Sequence, residues 1–441
     1  MNLTIFPGSP LRGCVEPPGD KSLSHRAALF AALAEGESRV EHFLVSGVTE
    51  AMLRSLKALG VAWELAADTL QVQGCGLRGL RAPVSALDCG NSATTMRLLT
   101  GAVAAAGIAA VLDGSAGLRR RPMERIAGPL RQMGVDISTA EGGGAPLTLG
   151  SRPPSRRLSA LDYSLPVASA QVKTCLLLAA LAADAPTTLH EPALSRDHTE
   201  RMLRGMGVSI ENSPEPTGYR VTLTPPETPL QPLRGVLPGD FSAAAFLMAA
   251  ALITPGSELT LPAVGLNPTR TGLLDAFRAM GGDLEVSNLR ECLGEPVGDL
   301  KVRFSPLRGI EIGGEWVVRM IDEFPAFAAA AVFAEGPSVV RDAQELRYKE
   351  SDRIGALCSE LRAVGAQVEE TPDGFILQGG GARGGVVNPH GDHRLAMSLA
   401  VLGLASREPV QVLGAEITRE SFPRFPDVLR SLGAQIAEEY E

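Results

Sequence analysis

One alternation of apolar and polar positions recurs six times along the chain: a helical end, a glycine, then a short run in which polar and apolar residues alternate. The copies read LKALGVAWEL around Gly60, LRQMGVDIS around Gly134, LRGMGVSIE around Gly207, FRAMGGDLE around Gly281, LRAVGAQVEE around Gly365 and LRSLGAQIAEE around Gly433. Successive glycines lie 74, 73, 74, 84 and 68 residues apart. The pattern predicts six helices that stop at a glycine in the left-handed C′ conformation and pass directly into a strand. Many helices end this way, so one copy carries no message, but six at near-even intervals mark an internal repeat.

A second phrase keeps step with the first, a polar cluster that opens an Ala- and Leu-rich stretch. It appears as Lys21-Ser22-Leu23-Ser24-His25-Arg26, Asn91-Ser92-Ala93-Thr94-Thr95, Ser169-Ala170-Gln171, Asp240-Phe241-Ser242, Asp322-Glu323-Phe324-Pro325 and Asp392-His393-Arg394. Helices apolar on nearly all sides belong in a core, so each repeat is expected to bury one helix and expose its polar start. The first and fourth clusters follow Pro18-Gly19-Asp20 and Pro238-Gly239-Asp240, 220 residues apart. That echo divides the chain three and three. It predicts an α/β protein of two lobes, residues 21–239 and residues 1–20 plus 240–441, with crossovers near 18–21 and 238–241 that form a hinge.

Composition narrows the function classes. With 45% hydrophobic and 21% charged residues the 441-residue chain reads as globular, and its length favours two cores over one. A net charge of -9 opposes nonspecific attraction to nucleic acid or anionic membrane. The longest apolar run, 98–112, is too short to span a bilayer, and the first ten residues resemble no export or transit signal, so a cytoplasmic location is expected. Six scattered cysteines without a C-x-x-C pair read as reduced residues, and no His or Cys spacing suggests a metal site. The histidines, among them His25, His198 and His393, are read as structural.

Any anion must therefore bind locally, and the helix starts are suited to it: each offers unpaired N–H groups and the positive end of the helix dipole. Three of the five lysines, Lys21, Lys173 and Lys349, fall at these clusters or in LRYKESDR, with Arg26, Arg97, Arg121, Arg196, Arg353 and Arg394. Arginine supplies the forked geometry that phosphate and carboxylate favour. Lys349 and Arg353 stand four apart and share a face if that segment is helical. Asp322 and Glu350 admit two readings. One is an N-cap at Asp322 and a salt-bridged helix face; the other is a carboxylate pair whose acidities nearby cations separate, as proton addition and removal require.

PGDKSLSHR (18–26), CGNSATTMRLL (89–99), RRPMERI (120–126), SAQVK (169–173), DEFP (322–325), LRYKESDR (346–353) and GDHRLAM (391–397) together resemble the 5-enolpyruvylshikimate-3-phosphate synthase family from end to end. The resemblance implies a two-domain inside-out α/β barrel with three repeats per domain. It implies transfer of the enolpyruvyl group of phosphoenolpyruvate to the 5-hydroxyl of shikimate 3-phosphate, without metal or organic cofactor, in a monomer. By the same resemblance, phosphoenolpyruvate is bound by Lys21, Ala93, Arg121, Gln171, Arg353 and Arg394. Shikimate 3-phosphate is bound by Lys21, Ser22, Arg26, Ser169, Ala170, Gln171, Arg196, Asp322 and Lys349, while Asp322, Glu350 and Lys21 handle protons.

RDHTE (196–200), NPTR (267–270) and Ala93 resemble the class II, glyphosate-tolerant form. Two positions depart from the pattern of some members: Glu345 replaces Asn, and Glu420 replaces Lys, leaving Arg419 unassigned. Two rivals remain at this level. A UDP-N-acetylglucosamine enolpyruvyl transferase would carry a loop cysteine, which residues 114–122 lack, and a noncatalytic six-repeat scaffold would want a basic lining without carboxylates.

Overall fold

In the computed structural model, which describes residues 1–440, all six repeat glycines have positive φ, from 82° at Gly365 to 113° at Gly433. Each stands two positions after the last residue of a helix, directly after its C-cap. Each also precedes a backbone bond that spans five residues, Val61 N to Leu56 O (3.0 Å), Val135 N to Leu130 O (3.0 Å), Val208 N to Leu203 O (3.0 Å), Gly282 N to Phe277 O (2.8 Å), Ala366 N to Leu361 O (3.0 Å) and Ala434 N to Leu429 O (3.0 Å). These are the closing bonds of Schellman caps, which need a left-handed residue that glycine adopts without a Cβ penalty. The chain then enters a strand in every case, Ala62–Ala66, Ile137–Ser138, Ser209–Glu215, Asp283–Cys292, Gln367–Thr371 and Gln435–Glu439.

The polar clusters open six core helices, Lys21–Leu33, Ala93–Ala106, Ala170–Ala180, Phe241–Ile253, Phe324–Ala331 and His393–Gly403. Five are capped by a side chain, from Asp20, Ser92, Ser169, Asp240 and Asp392. Beyond their first turns they are buried almost throughout, Phe241–Ile253 on all sides, because alanine lets neighbouring helices approach closely. The limit is reached at Gly101, where a Cβ would lie 2.3 Å from the Cys175 carbonyl oxygen of the adjacent helix.

Around the helices stand six four-stranded sheets of one topology. In each, one edge pair is parallel, for example Arg234–Val236 beside Glu35–Glu41, and the strand after the repeat glycine lies at the other edge. Asn2–Phe6 does not pair near its own position in sequence; it lies between Val410–Val412 and Gln435–Glu439, with Leu3 opposite Val412.

The chain forms two compact units with separate hydrophobic cores. One, called here the Lys21 unit, holds residues 19–237 and 291–295; the other, the Asp322 unit, holds residues 1–18, 238–290 and from 296 onward. At the passage from Pro18, Gly19 has no room for a side chain, since a Cβ would meet the His42 carbonyl oxygen at 1.8 Å. The repeat spacing does not announce residues 291–295, the tip of the hairpin of Asp283–Cys292 and Glu295–Arg303. They are held in the Lys21 unit by Arg201, which donates to the Gly294 carbonyl (3.1 Å), and by the contact of His198 Nδ1 with Glu295 (2.8 Å).

Candidate active site

In the Lys21 unit the three helix starts are joined by side chains. Gln171 donates to Thr94 Oγ1 (3.0 Å) and accepts from Arg97 (2.7 Å), which also donates to the Pro122 carbonyl (3.2 Å) beside Arg121. Ser115 donates to Asn91 (2.9 Å), so the turn before Arg121 is tied to the loop before Ala93. Lys21 and Ser22 occupy the first helical positions after the Asp20 cap, half-buried, while Ala93 is buried at the head of its helix. Ser169 caps its own helix, with Ala170 and Gln171 following, and Arg121 and Arg196 are half-buried.

Arg26 lies deeper. Its guanidinium donates to Thr199 Oγ1 (2.8 Å), Thr174 Oγ1 (2.9 Å) and the Ser22 carbonyl (3.0 Å). Burial pulls its pKa down to about 10 despite the opposing charge of Glu200, and Arg196 adds positive potential. Lys173 faces the interior instead of a helix start, 2.8 Å from Glu191 and 2.7 Å from Glu200, all three side chains fully buried. This corrects its place among the anion-facing cations: in a helix buried on this side, an ammonium needs carboxylate partners.

In the Asp322 unit, cations and carboxylates alternate. The Asp322 carboxylate lies 3.5 Å from Lys349, 3.6 Å from Arg353 and 3.7 Å from Arg394. Arg353 also reaches Glu350 at 2.5 Å and Asp392 at 2.8 Å. Burial lowers the proton affinity of Arg353, but Asp392, Glu350 and Asp322 outweigh it and the net shift is upward, so the guanidinium stays charged. Arg394 donates to the Asp322 carbonyl (3.0 Å). Three cations around one carboxylate favour its ionised form, and Glu350 shares Arg353 with it.

Two local expectations change. Lys349 and Arg353 do not share a helical face: Gln344–Tyr348 is a 3-10 turn, Lys349 is extended, and Arg353 begins the helix Arg353–Ala363 after the Asp352 cap. Asp322 is not an N-cap either. The helix starts at Phe324 with Pro325 in its first turn, where a missing N–H costs nothing, and Glu323 holds the cap position, its side chain turned to Ser242 instead of capping the helix. Sequence reading also passed over a buried chain: Arg270 donates to Asp240 (2.7 Å) and Ser242 (2.8 Å), Ser242 donates to Glu323, and Glu323 lies 3.9 Å from Arg394. The arginine in NPTR was its available signal.

The histidines occupy structural positions, His42 against the Leu237 carbonyl (3.0 Å), His190 between Glu215 (2.8 Å) and Asp162 (3.0 Å), and His390 against Glu360 (2.8 Å). His393 lies 3.6 Å from Glu420, one of the departing positions, and Glu345 sits in the 3-10 turn before Lys349. Among the described residues, no group of three or more His, Cys, Asp or Glu is arranged to hold a metal ion, and no helix is long and apolar enough to cross a membrane.

The repeated sheets around buried helices are the fold of the enolpyruvyl transferases: a solved transferase of that class, NikO from Streptomyces tendae, superposes with a TM-score of 0.80 at 21% identity over 99% of this chain and 98% of its own, a likeness of fold alone. At the level of sequence the match is narrower. The chain belongs to the EPSP synthase (3-phosphoshikimate 1-carboxyvinyltransferase) family, whose model matches residues 5–429. It is 48% identical over 430 residues to the 3-phosphoshikimate 1-carboxyvinyltransferase of Synechococcus sp. (strain RCC307), covering 96% of this chain and 98% of the relative. It is 49% identical over 444 residues to that of Roseiflexus sp. (strain RS-1), covering 99% and 100%. The solved EPSP synthase of Acinetobacter baumannii superposes with a TM-score of 0.87 at 40% identity, covering 99% of this chain and all of that one.

Proposed function

We propose that this chain carries out its family's reaction by addition and elimination. The 5-hydroxyl oxygen of shikimate 3-phosphate bonds to C2 of phosphoenolpyruvate while its proton leaves and C3 gains one, giving a tetrahedral ketal phosphate. Loss of a proton from the new methyl group and of phosphate from C2 then restores the double bond. Asp322 and Glu350 handle these protons, assisted by Lys21. The observation that carries this reading is the Asp322 carboxylate set among Lys349, Arg353 and Arg394, with Glu350 on the same arginine.

Arg353, Arg394, Lys21, Arg121 and Gln171 bind phosphoenolpyruvate, beside Ala93. Ser22, Arg26, Ser169, Ala170, Arg196 and Lys349 bind shikimate 3-phosphate together with Lys21, Gln171 and Asp322. The cations stabilise the charge that develops on the departing phosphate. The chain acts as a monomer in the cytoplasm and belongs to the class II, glyphosate-tolerant type. Ala93 supports that assignment, because its buried methyl crowds an inhibitor longer than the substrate, a discrimination of about 1–3 kcal/mol.

The test mixes purified protein with both substrates and follows phosphate release, with UDP-N-acetylglucosamine as the alternative acceptor and with millimolar glyphosate. Release with shikimate 3-phosphate only is expected, and Ala93→Gly lowers the inhibiting glyphosate concentration. Release with the nucleotide sugar instead would sink the assignment.

A further inference from the structure

His25 is buried in the first helix, yet it belongs to none of the groups assigned above to substrate or proton transfer. Its Nδ1 lies 2.7 Å from the Lys21 carbonyl oxygen and its Nε2 lies 3.3 Å from Ser92 Oγ. A carbonyl only accepts, so Nδ1 carries the proton, and in the neutral ring Nε2 is then an acceptor. Ser92 matches it. Its oxygen already accepts from the Thr95 backbone N–H (3.0 Å) and Thr95 Oγ1 (2.9 Å), which leaves its hydroxyl proton for His25. Burial, with Lys21 and Arg26 nearby, holds the ring neutral.

The two contacts join different repeats. Lys21 opens the first core helix, and Ser92 caps the second, whose head is Ala93. From Ser92 the ties continue: Asn91 accepts from Ser115 (2.9 Å), and the Ser115 backbone N–H donates to the Gly90 carbonyl (2.8 Å) ahead of Arg121. We propose that His25 is a positioning residue whose Nδ1–H on the Lys21 carbonyl and Nε2 on the Ser92 hydroxyl lock the first two helix starts into one surface for phosphoenolpyruvate. This rests on the functional reading above and adds a residue to it.

Three substitutions separate the two contacts. Asparagine places an N–H where Nδ1 stands and can return it to the carbonyl four residues back, glutamine fills volume but offers no donor at that point, and alanine removes both. His25→Ala is expected to raise the KM for phosphoenolpyruvate about tenfold, the worth of one lost hydrogen bond, while kcat and the KM for shikimate 3-phosphate change less. His25→Asn recovers most of that loss and His25→Gln does not; this ordering holds the prediction should the alanine variant not fold. Equal phosphoenolpyruvate KM in all four proteins, or recovery by glutamine and not asparagine, overturns the positioning role. Wild-type turnover is measured first: its absence overturns the functional reading as well, whereas an active wild type with unresponsive variants overturns the role of His25 alone.

Discussion

The two units repeat one architecture but treat charge in opposite ways. In the Lys21 unit the core helices are capped by Asp20, Ser92 and Ser169, and the strong ion pairs, Lys173 with Glu191 and Glu200, lie inside. Two of its three helix starts thus keep an uncharged cap and an uncompensated dipole, with hydroxyls, an amide and cations around them. In the Asp322 unit the corresponding positions are Asp240, Glu323 and Asp392, all carboxylates, and buried arginines answer them: Arg270 on Asp240 and Arg353 on Asp392. One fold therefore yields a half with two uncharged caps at its helix starts and a half in which buried arginines pair with the carboxylates.

The largest expected effect tests the second half. Asp322→Asn should lower kcat for phosphate release by about 10²–10⁴-fold, the worth of a positioned acid or base, with unfolding little changed; a loss confined to KM would reduce Asp322 to a binding group. Next is the interior of the Lys21 unit. Lys173→Met strands two buried carboxylates and should cost about 3–5 kcal/mol in urea unfolding, whereas Lys301→Met, which breaks the exposed pair with Glu258, should cost under about 1 kcal/mol. Equal costs would mean that the buried triad is not a structural anchor.

A third effect depends on pH. His25 has its folded pKa pushed down to about 4 by burial, against an ordinary 6.5. The unfolded chain therefore binds the proton first: this contribution to stability is complete above pH 6.5 and is lost as pH falls toward 4, by up to roughly 3 kcal/mol. In His25→Asn that loss should vanish from the difference between unfolding at pH 7 and pH 5. The smallest effect separates the caps. Ser169→Ala should cost about 1 kcal/mol in thermal unfolding. Asp392→Ala should cost more, because Arg353 loses its 2.8 Å partner; similar costs would erase the contrast between the units.

What the sequence disclosed and what it hid have separate physical origins. The repeat was legible because each helix ends at a position with positive φ, which few residues but glycine adopt readily, so the backbone writes itself into the letters at Gly60, Gly134 and the other four. The buried helices were legible from their alanines. Side-chain direction was not: Lys173 stands beside a polar helix start in sequence, yet it turns into the core to meet Glu191 and Glu200. The start of the helix at Phe324 was misplaced by an aspartate that looks like a cap but binds cations instead. The passage of residues 291–295 into the Lys21 unit leaves no periodic trace, since a hairpin tip reads alike wherever it docks.

The pairing of Asn2–Phe6 bears on how the protein is made. Its neighbours are Val410–Val412 and Gln435–Glu439, so this strand has no sheet to join until about four hundred further residues have been made. At about 5–20 residues per second that wait lasts from roughly twenty seconds to over a minute. Meanwhile Leu3 and Ile5, almost fully buried in the finished molecule, remain without their partners, and the strand's unpaired backbone groups stay open to other chains.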